Sequence, residues 1–274
     1  MTSLGDGPNE MRTSVCEQSY CQSHYLYSFM IYYFSGTGNS KHVAERLKQA
    51  TGDELAEMTS TATLSACPTL GLVFPVYAWG IPAIVTDFIT RNSSRIESSY
   101  LYAVMTCGDD IGYADHILNK LLNGRLDAAF SVHMPNTYVC LPGFDVDKDQ
   151  VANAKVEATH QRLPHIAESI NNKEKKTDVC RGKLPWLKTY ILRPLFNRFL
   201  VTDKYFWTAK HCSRCKRCVR SCPLGNITLD QQGNIAWKHE NCTGCLRCYH
   251  RCPNNAVQFG RFTKNKGQKI HDFD

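Results

Sequence analysis

A chain of 274 residues is long enough for two folded domains, and a hydrophobic content of 43% supports packed cores. No apolar run reaches the roughly eighteen residues that a membrane-spanning helix needs, so no transmembrane segment is expected. The net charge of +7 is uneven: from Lys210 onward twelve Lys/Arg face four Asp/Glu, whereas residues 1–209 carry twenty against twenty-one.

Residues 1–29 are polar and irregular and lack the continuous apolar core of a secretory signal. They read as a disordered extension that includes Cys16 and Cys21, with Met30 available as a start. At Met30 the pattern changes. Met30-Ile31-Tyr32-Tyr33-Phe34 is a short apolar run of the kind that makes a buried parallel strand. It feeds Ser35-Gly36-Thr37-Gly38-Asn39-Ser40, and Val43, Ala44 and Leu47 then follow at helical spacing. Strand, glycine-hydroxyl loop and helix make an anion site: glycines admit close backbone N–H groups, hydroxyls add donors, and the helix dipole favours negative charge. The lysine of a nucleotide-triphosphate loop is missing. So is the third glycine of a dinucleotide fingerprint, where this chain has Lys41. The loop suits a phosphomonoester held mainly by hydrogen bonds.

Alternation continues downstream. Glu54–Met58, Thr69–Phe74, Tyr100–Thr106 and Asp127–His133 read as strands two to five. Between them Ile81, Ile84, Val85, Phe88 and Ile89, then Ala114, Ile117, Leu118, Leu121 and Leu122, fall at helical spacing. Pro82 suits a first helical turn. Strands alternating with amphipathic helices predict an α/β fold with a doubly wound parallel sheet of five strands, whose ligand loops lie at the strands' carboxyl ends.

The loop Ser35-x-Thr37-Gly38-Asn39-Ser40, straight after the first strand, resembles the FMN phosphate loop of the flavodoxin family. That resemblance implies that the loops after the third and fourth strands flank the flavin ring. They are Tyr77-Ala78-Trp79-Gly80 and Thr106-Cys107-Gly108-Asp109-Asp110. Tyr77 and Trp79 would stack on the ring, Gly80 and Gly108 would let backbone reach its edge, and Cys107 would be a bystander. Met134–Tyr138 should cover the same end of the sheet.

Residues 151–172 read as a helix with a break or kink at Pro164, and 171–178 as a charged, exposed connection. Residues 184–207 mix Trp, Phe, Leu and Tyr with Lys188, Arg193, Arg198 and Lys204. This amphipathic segment is expected to pack between two domains, with a membrane-surface role as the alternative. The ten histidines show no metal-binding spacing.

The last third holds eight of the fourteen cysteines in one motif written twice: Cys212, Cys215, Cys218, Cys222-Pro223, then Cys242, Cys245, Cys248, Cys252-Pro253, thirty residues later. Four thiolates hold a cubic [4Fe–4S] cluster, three of them closely spaced around one corner. A disulfide framework would need an oxidising compartment. Zinc, the better rival, takes its ligands in pairs and has no use for the third and fourth cysteines of each run. The prolines turn the chain away from each ligand loop. Residues 208–260 resemble the two-[4Fe–4S] bacterial ferredoxins, in which the fourth cysteine of each run serves the other cluster. The resemblance implies one cluster on Cys212, Cys215, Cys218 and Cys252 and the other on Cys242, Cys245, Cys248 and Cys222. Two clusters of formal charge about −2 would bring the C-terminal excess from +8 to about +4. The surplus suits an acidic redox partner better than nucleic acid, for which no aromatic-basic groove motif is present.

The expected organisation is an extension (1–29), a flavodoxin-like FMN domain (30–175), an aromatic connector (176–207), a small α+β ferredoxin domain with two [4Fe–4S] clusters (208–262) and a basic tail (263–274). From Met30 the chain resembles the flavodoxin-like/ferredoxin fusion proteins of anaerobic bacteria, which implies a cytoplasmic electron carrier between redox partner proteins. An FMN oxidoreductase fed by its own ferredoxin module is the second reading. A cluster-bearing sensor or scaffold is the third. No catalytic triad or carboxylate pair stands out.

Overall fold

The computed structural model of the chain describes residues 29–65, 67–98, 100–199 and 202–271. The extension, with Cys16 and Cys21, lies outside the described residues apart from Phe29. Six parallel strands form the main sheet: β1 (Met30–Tyr33), β2 (Glu54–Glu57), β3 (Thr69–Pro75), β4 (Tyr100–Cys107), β5 (Ala128–His133) and β6 (Lys176–Asp178), in the order β2-β1-β3-β4-β5-β6. Order 2-1-3-4-5 is that of flavodoxin-like sheets, and it puts the topological switch point between β1 and β3. The sixth strand corrects the expected five. Lys176-Thr177-Asp178 pairs with Ala128-Ala129-Phe130, although its three polar residues were read as an exposed connection. A short charged strand at an edge carries no apolar signature, because its outer side faces water.

The period-two alternation of β3 explains the two cores. Leu70, Leu72 and Phe74 face one side with Phe88 and Leu118, while Val73 faces the other with Val43, Leu47 and Ile166. Helices α1 (Asn39–Thr51) and α4 (Asp149–Asn171) cover the second face; α2 (Ala83–Arg91) and α3 (Ala114–Leu121) cover the first. Pro82 caps α2 from just outside its first turn. Gly71 is bare because a Cβ there would lie 2.4 Å from the Tyr102 ring. The Tyr102 hydroxyl donates to Asp53 at 3.1 Å. Helix α4 runs on through Pro164 without ending.

A π-helical turn (Leu187–Leu192) continues into α5 (Arg193–Phe199), and this connector is amphipathic as expected. Lys188 meets Asp110 at 2.5 Å, the Thr189 hydroxyl donates to the Trp79 carbonyl at 3.3 Å, and Arg193 donates to the Ile81 carbonyl at 3.0 Å. Leu184, Trp186, Leu195 and Phe199 are exposed on the other side. The segment therefore straps the loops after β3 and β4 with its polar side chains and turns much of its apolar surface outward.

The C-terminal module holds two antiparallel pairs, β7 (Phe206–Thr208) with β10 (Val257–Phe259) and the hairpin β8 (Ile227–Leu229) with β9 (Ile235–Trp237). Two short helices, α6 (Arg217–Ser221) and α7 (Arg247–His250), lie between them in sequence. The sequence repeat is a structural repeat. Lys216 and Leu246, thirty residues apart, both take left-handed backbone just before their helices. Gly225 N–H and Asn255 N–H close the same turn onto the carbonyls of Cys222 and Cys252, at 3.2 and 3.1 Å. The core of this module is completed from the other: Val139 and Cys140, from the loop after β5, are buried among Phe206, Tyr249 and Phe259.

The tail is a strap as well as a source of charge. Lys266 Nζ donates to the Val139 carbonyl at 2.8 Å, Gly267 N–H to Asp145 at 3.0 Å, and His271 N–H to the Thr37 carbonyl at 2.9 Å. His250 is clamped at both ends: Nε2 donates to the Thr137 carbonyl at 2.8 Å and Nδ1 accepts from Lys269 N–H at 3.1 Å.

Candidate functional site: a cavity between the two modules

At the carboxyl ends of β1, β3, β4 and β5 lies a cavity of about 350 Å³. Its floor is the loop after β1, through Ser35, Gly36, Thr37, Asn39 and Ser40. One wall is Tyr77, Ala78 and Trp79; another is Thr106, Cys107, Gly108 and Asp109; a third is Met134–Tyr138. Twelve of the fourteen residues expected to hold a cofactor here therefore share one space. Gly38 and Gly80 do not line it. Gly38 caps helix α1 with φ 104°, a backbone that only glycine adopts without strain. Gly80 instead makes room for the connector, since a Cβ would lie 2.2 Å from the Arg193 guanidinium carbon.

The floor is preformed for an anion. Helix α1 has no side-chain cap and no acidic residue in its first turn, so its free N–H groups and dipole act on whatever sits there. Ser35 Oγ accepts from Gly38 N–H at 3.1 Å. Ser40 pairs with Thr106 at 2.7 Å and Thr37 with Thr137 at 3.1 Å. Each hydroxyl pair uses one proton internally and leaves the other free to donate. Asn39 Oδ1 is buried without a partner, while its amide donates to the Pro135 carbonyl at 2.8 Å.

Burial pushes the Cys107 thiol up to about 12, with Cys180 and the carboxylates of Asp110 and Asp109 adding to the rise. Its sulfur lies 3.7 Å from the Val132 carbonyl. The thiol therefore stays protonated at neutral pH.

Sequence reading missed the roof. Phe206, Thr243, Gly244, Cys245, Leu246 and Phe259 of the cysteine-rich module close the cavity from above, and Lys188 and Phe196 of the connector close its side. Contact between segments two hundred residues apart leaves no periodic mark. The signals present were Gly244 inside a ligand loop and Gly36 in the floor. A Cβ on Gly36 would lie 2.6 Å from the Tyr77 hydroxyl and 2.7 Å from the Cys245 carbonyl. That glycine serves the docking of the second module.

Behind the roof a small void is lined by Cys222, Cys242, Cys245 and Cys248, with Ile227 and Trp237. Beside it, Cys252 and Cys212 both act on the Cys218 thiol, and Cys248 feels Cys218 in turn. Cys222, Cys242, Cys245 and Cys248 thus share one void, and Cys215 is exposed. Burial pushes Cys242 up to about 12, Cys218 up to about 11 and Cys248 well above its ordinary value. Such packed sulfurs become thiolates only beside cations, and coordination deprotonates a thiol outright. Backbone N–H groups already point at them: Asn226 to Cys222 Sγ at 3.3 Å, Ala256 to Cys252 Sγ at 3.1 Å and Gly244 to Cys242 Sγ at 3.4 Å. Among the described residues no three His, Cys, Asp or Glu side chains are close enough to grip a single metal ion. A cubane spreads its ligands around a larger body than one ion does.

Fold and site define a class: an electron-transfer protein that joins flavin to iron–sulfur chemistry. A flavodoxin domain model matches residues 30–134 and a 4Fe-4S dicluster domain model matches residues 204–253. The chain is a flavodoxin–ferredoxin fusion. No curated protein matches it. Among solved structures, a candidate flavoprotein from Bacteroides eggerthii DSM 20697 is similar at 17% identity and TM-score 0.32, covering 48% of this chain and 98% of that one. Among the described residues no helix is long and apolar enough to cross a membrane.

Proposed function

We propose that the chain is a cytoplasmic carrier that passes low-potential electrons between redox proteins through bound FMN and two [4Fe–4S] clusters. Cys222, Cys242, Cys245 and Cys248 hold the cluster near the flavin; Cys212, Cys215, Cys218 and Cys252 hold the outer one. Ser35–Ser40 hold the phosphate. Tyr77, Ala78, Trp79, Thr106, Cys107, Gly108 and Asp109 surround the ring. Gly80 supports that wall through Arg193. The flavin exchanges electrons in pairs or singly and each cluster singly, so together they convert two-electron to one-electron traffic.

The observation that carries this reading is the position of Cys245, which lines both the four-cysteine void and the flavin-sized cavity. The chain's own work is placement. Arg247 and the tail hold the two sites together, Thr243–Leu246 keep water off one side of the cavity, and the uncapped α1 receives the phosphate. A volume of about 350 Å³ suits a single small-molecule occupant. That favours a carrier over the second reading, an FMN oxidoreductase with room for a substrate as well. The outer sulfur set has the exposed Cys215 beside Arg217 and Arg220, a basic exit for an acidic partner protein. A count of iron, acid-labile sulfide and released flavin on anaerobically purified protein tests the proposal. About eight irons and one FMN per chain are expected. Eight irons with no flavin, even after adding FMN, would leave only a ferredoxin.

A further inference from the structure

We infer that the flavin site is a composite of both modules: the Thr243 hydroxyl, in the cysteine-rich loop, is a flavin-binding group, and flavin retention depends on that loop being held by its iron–sulfur cluster. The inference deepens the function proposed above and rests on it.

Three residues that line the cavity carry a buried polar atom without a hydrogen-bond partner: Asn39 Oδ1, the Tyr138 hydroxyl and Thr243 Oγ1. They come from the floor, a wall and the roof, so two modules supply them. Thr243 stands at the partition, since it also lines the void of Cys222, Cys242, Cys245 and Cys248. An unpartnered buried polar atom is rare in a folded chain and calls for a missing partner. Thr243 is 4% exposed, so bulk solvent does not reach it. A hydroxyl both donates and accepts, which suits the alternating carbonyl and N–H groups on the edge of a flavin ring. The floor already provides for the phosphate. The roof provides the polar group for the other end.

Thr243 has no scaffold of its own. It sits between Cys242 and Cys245 in a loop without helix or strand, and that loop is positioned by its sulfurs and by the seam with the floor. The seam is close-packed: the Cys245 carbonyl sits where a side chain on Gly36 would be, and Arg247 donates to the Ser35 carbonyl. A cluster that fixes Cys242 and Cys245 thereby fixes Thr243 over the cavity. Its loss frees the roof. Binding free energy is then shared between two cofactors, so each raises the affinity for the other by the same factor.

The test uses the full chain purified without oxygen, with FMN binding followed by quenching of flavin fluorescence and iron counted in the same samples. For Thr243→Val, an isosteric change, FMN should bind about tenfold more weakly with iron content unchanged, while Thr243→Ser should restore binding. Wild-type protein stripped of iron by a chelator should also bind FMN at least tenfold more weakly, and reconstitution with iron and sulfide should recover it. Unchanged FMN affinity in Thr243→Val, or in the iron-free protein, overturns the inference and leaves the proposed carrier intact. A wild-type protein with its iron that binds no FMN brings down the proposed function and this inference with it.

Discussion

Arg247 reaches from the cysteine-rich module to Glu57, at the end of β2, with an N–O separation of 2.9 Å. The same guanidinium donates to the Ser35 carbonyl in the phosphate loop and lies 5.9 Å from the centre of the Phe34 ring. One side chain, a single residue before Cys248, thus touches the end of β2 and the loop that builds the floor. Arg247 is 15% exposed and Glu57 36%, so the pair is weaker than a buried one and stronger than a surface one. Arg247→Met should destabilise the chain by about 2 kcal/mol, because the Glu57 carboxylate and the carbonyls of Ser35 and Ser221 lose their charged donor together. Glu57→Gln should cost about 1 kcal/mol, since Arg247 keeps the Ser35 carbonyl. A double-mutant cycle in urea should return a coupling energy; strictly additive losses would mean that the two side chains act independently.

The two glycines that cap α1 separate by what lies over them. Gly52 ends α1 with φ 77° and open space around its Cα, so Gly52→Ala should cost only the left-handed strain, about 1 kcal/mol. Gly38 has φ 104°, and a Cβ there would lie 2.0 Å from the His271 carbonyl oxygen. Gly38→Ala should therefore cost more than Gly52→Ala and also release the tail from the floor. Proteolysis of the tail reads this directly: cleavage after Lys266 or Lys269 should speed up in Gly38→Ala and stay slow in Gly52→Ala.

Much of this was legible beforehand, for physical reasons. Strands β1, β3, β4 and β5 are buried on both faces, so their apolar runs announced them. The cysteine repeat announced an iron–sulfur domain, matched at residues 204–253, because the spacing that wraps one corner of a cage has few other uses. What stayed hidden was long-range. The roof over Ser35–Ser40 is a ligand loop whose composition was fully accounted for by its cysteines. Val139 and Cys140 follow β5 of the first module, yet they complete the core of the second. Lys266 and Lys269 looked like surplus charge. They bind the Val139 carbonyl and Asp149. Gly80 was matched to a ring edge when its space is taken by Arg193.

Acid should loosen the floor from its helix side. His42 Nε2 and His160 Nε2 lie 2.7 Å apart, so at least one ring is neutral when they bond. Burial first, then His160, Arg46 and His271 in that order, together lower the His42 pKa from 6.5 to about 4. Between those values the unfolded chain takes up a proton that the folded chain refuses. Stability is then complete above about pH 6.5 and is lost as pH falls toward 4, by about 3 kcal/mol in total. His42→Gln keeps a polar group toward His160 without titrating. Its urea midpoint should change less between pH 7 and pH 4.5 than that of the wild type, and an equal drop in both would place the acid sensitivity elsewhere.

The crossed cysteine grouping gives the sharpest separation of the two cofactors. Cys222 belongs by sequence to the first run but lines the void with Cys242, Cys245 and Cys248. Cys252 belongs to the second run but is buried in the same core as Cys218 and raises the pKa of its thiol. Each Ser substitution should therefore damage the cluster of the opposite run. Cys222→Ser should lose about four irons from the inner site and, because that site holds Thr243 in place, most of its flavin too. Cys252→Ser should lose about four irons from the outer site and keep its flavin. Iron counts, flavin counts and the electron paramagnetic resonance of the reduced variants distinguish the two. Loss of flavin in both variants would mean that the second module folds as one unit around either cluster. Retention in both would mean that the roof stands without iron.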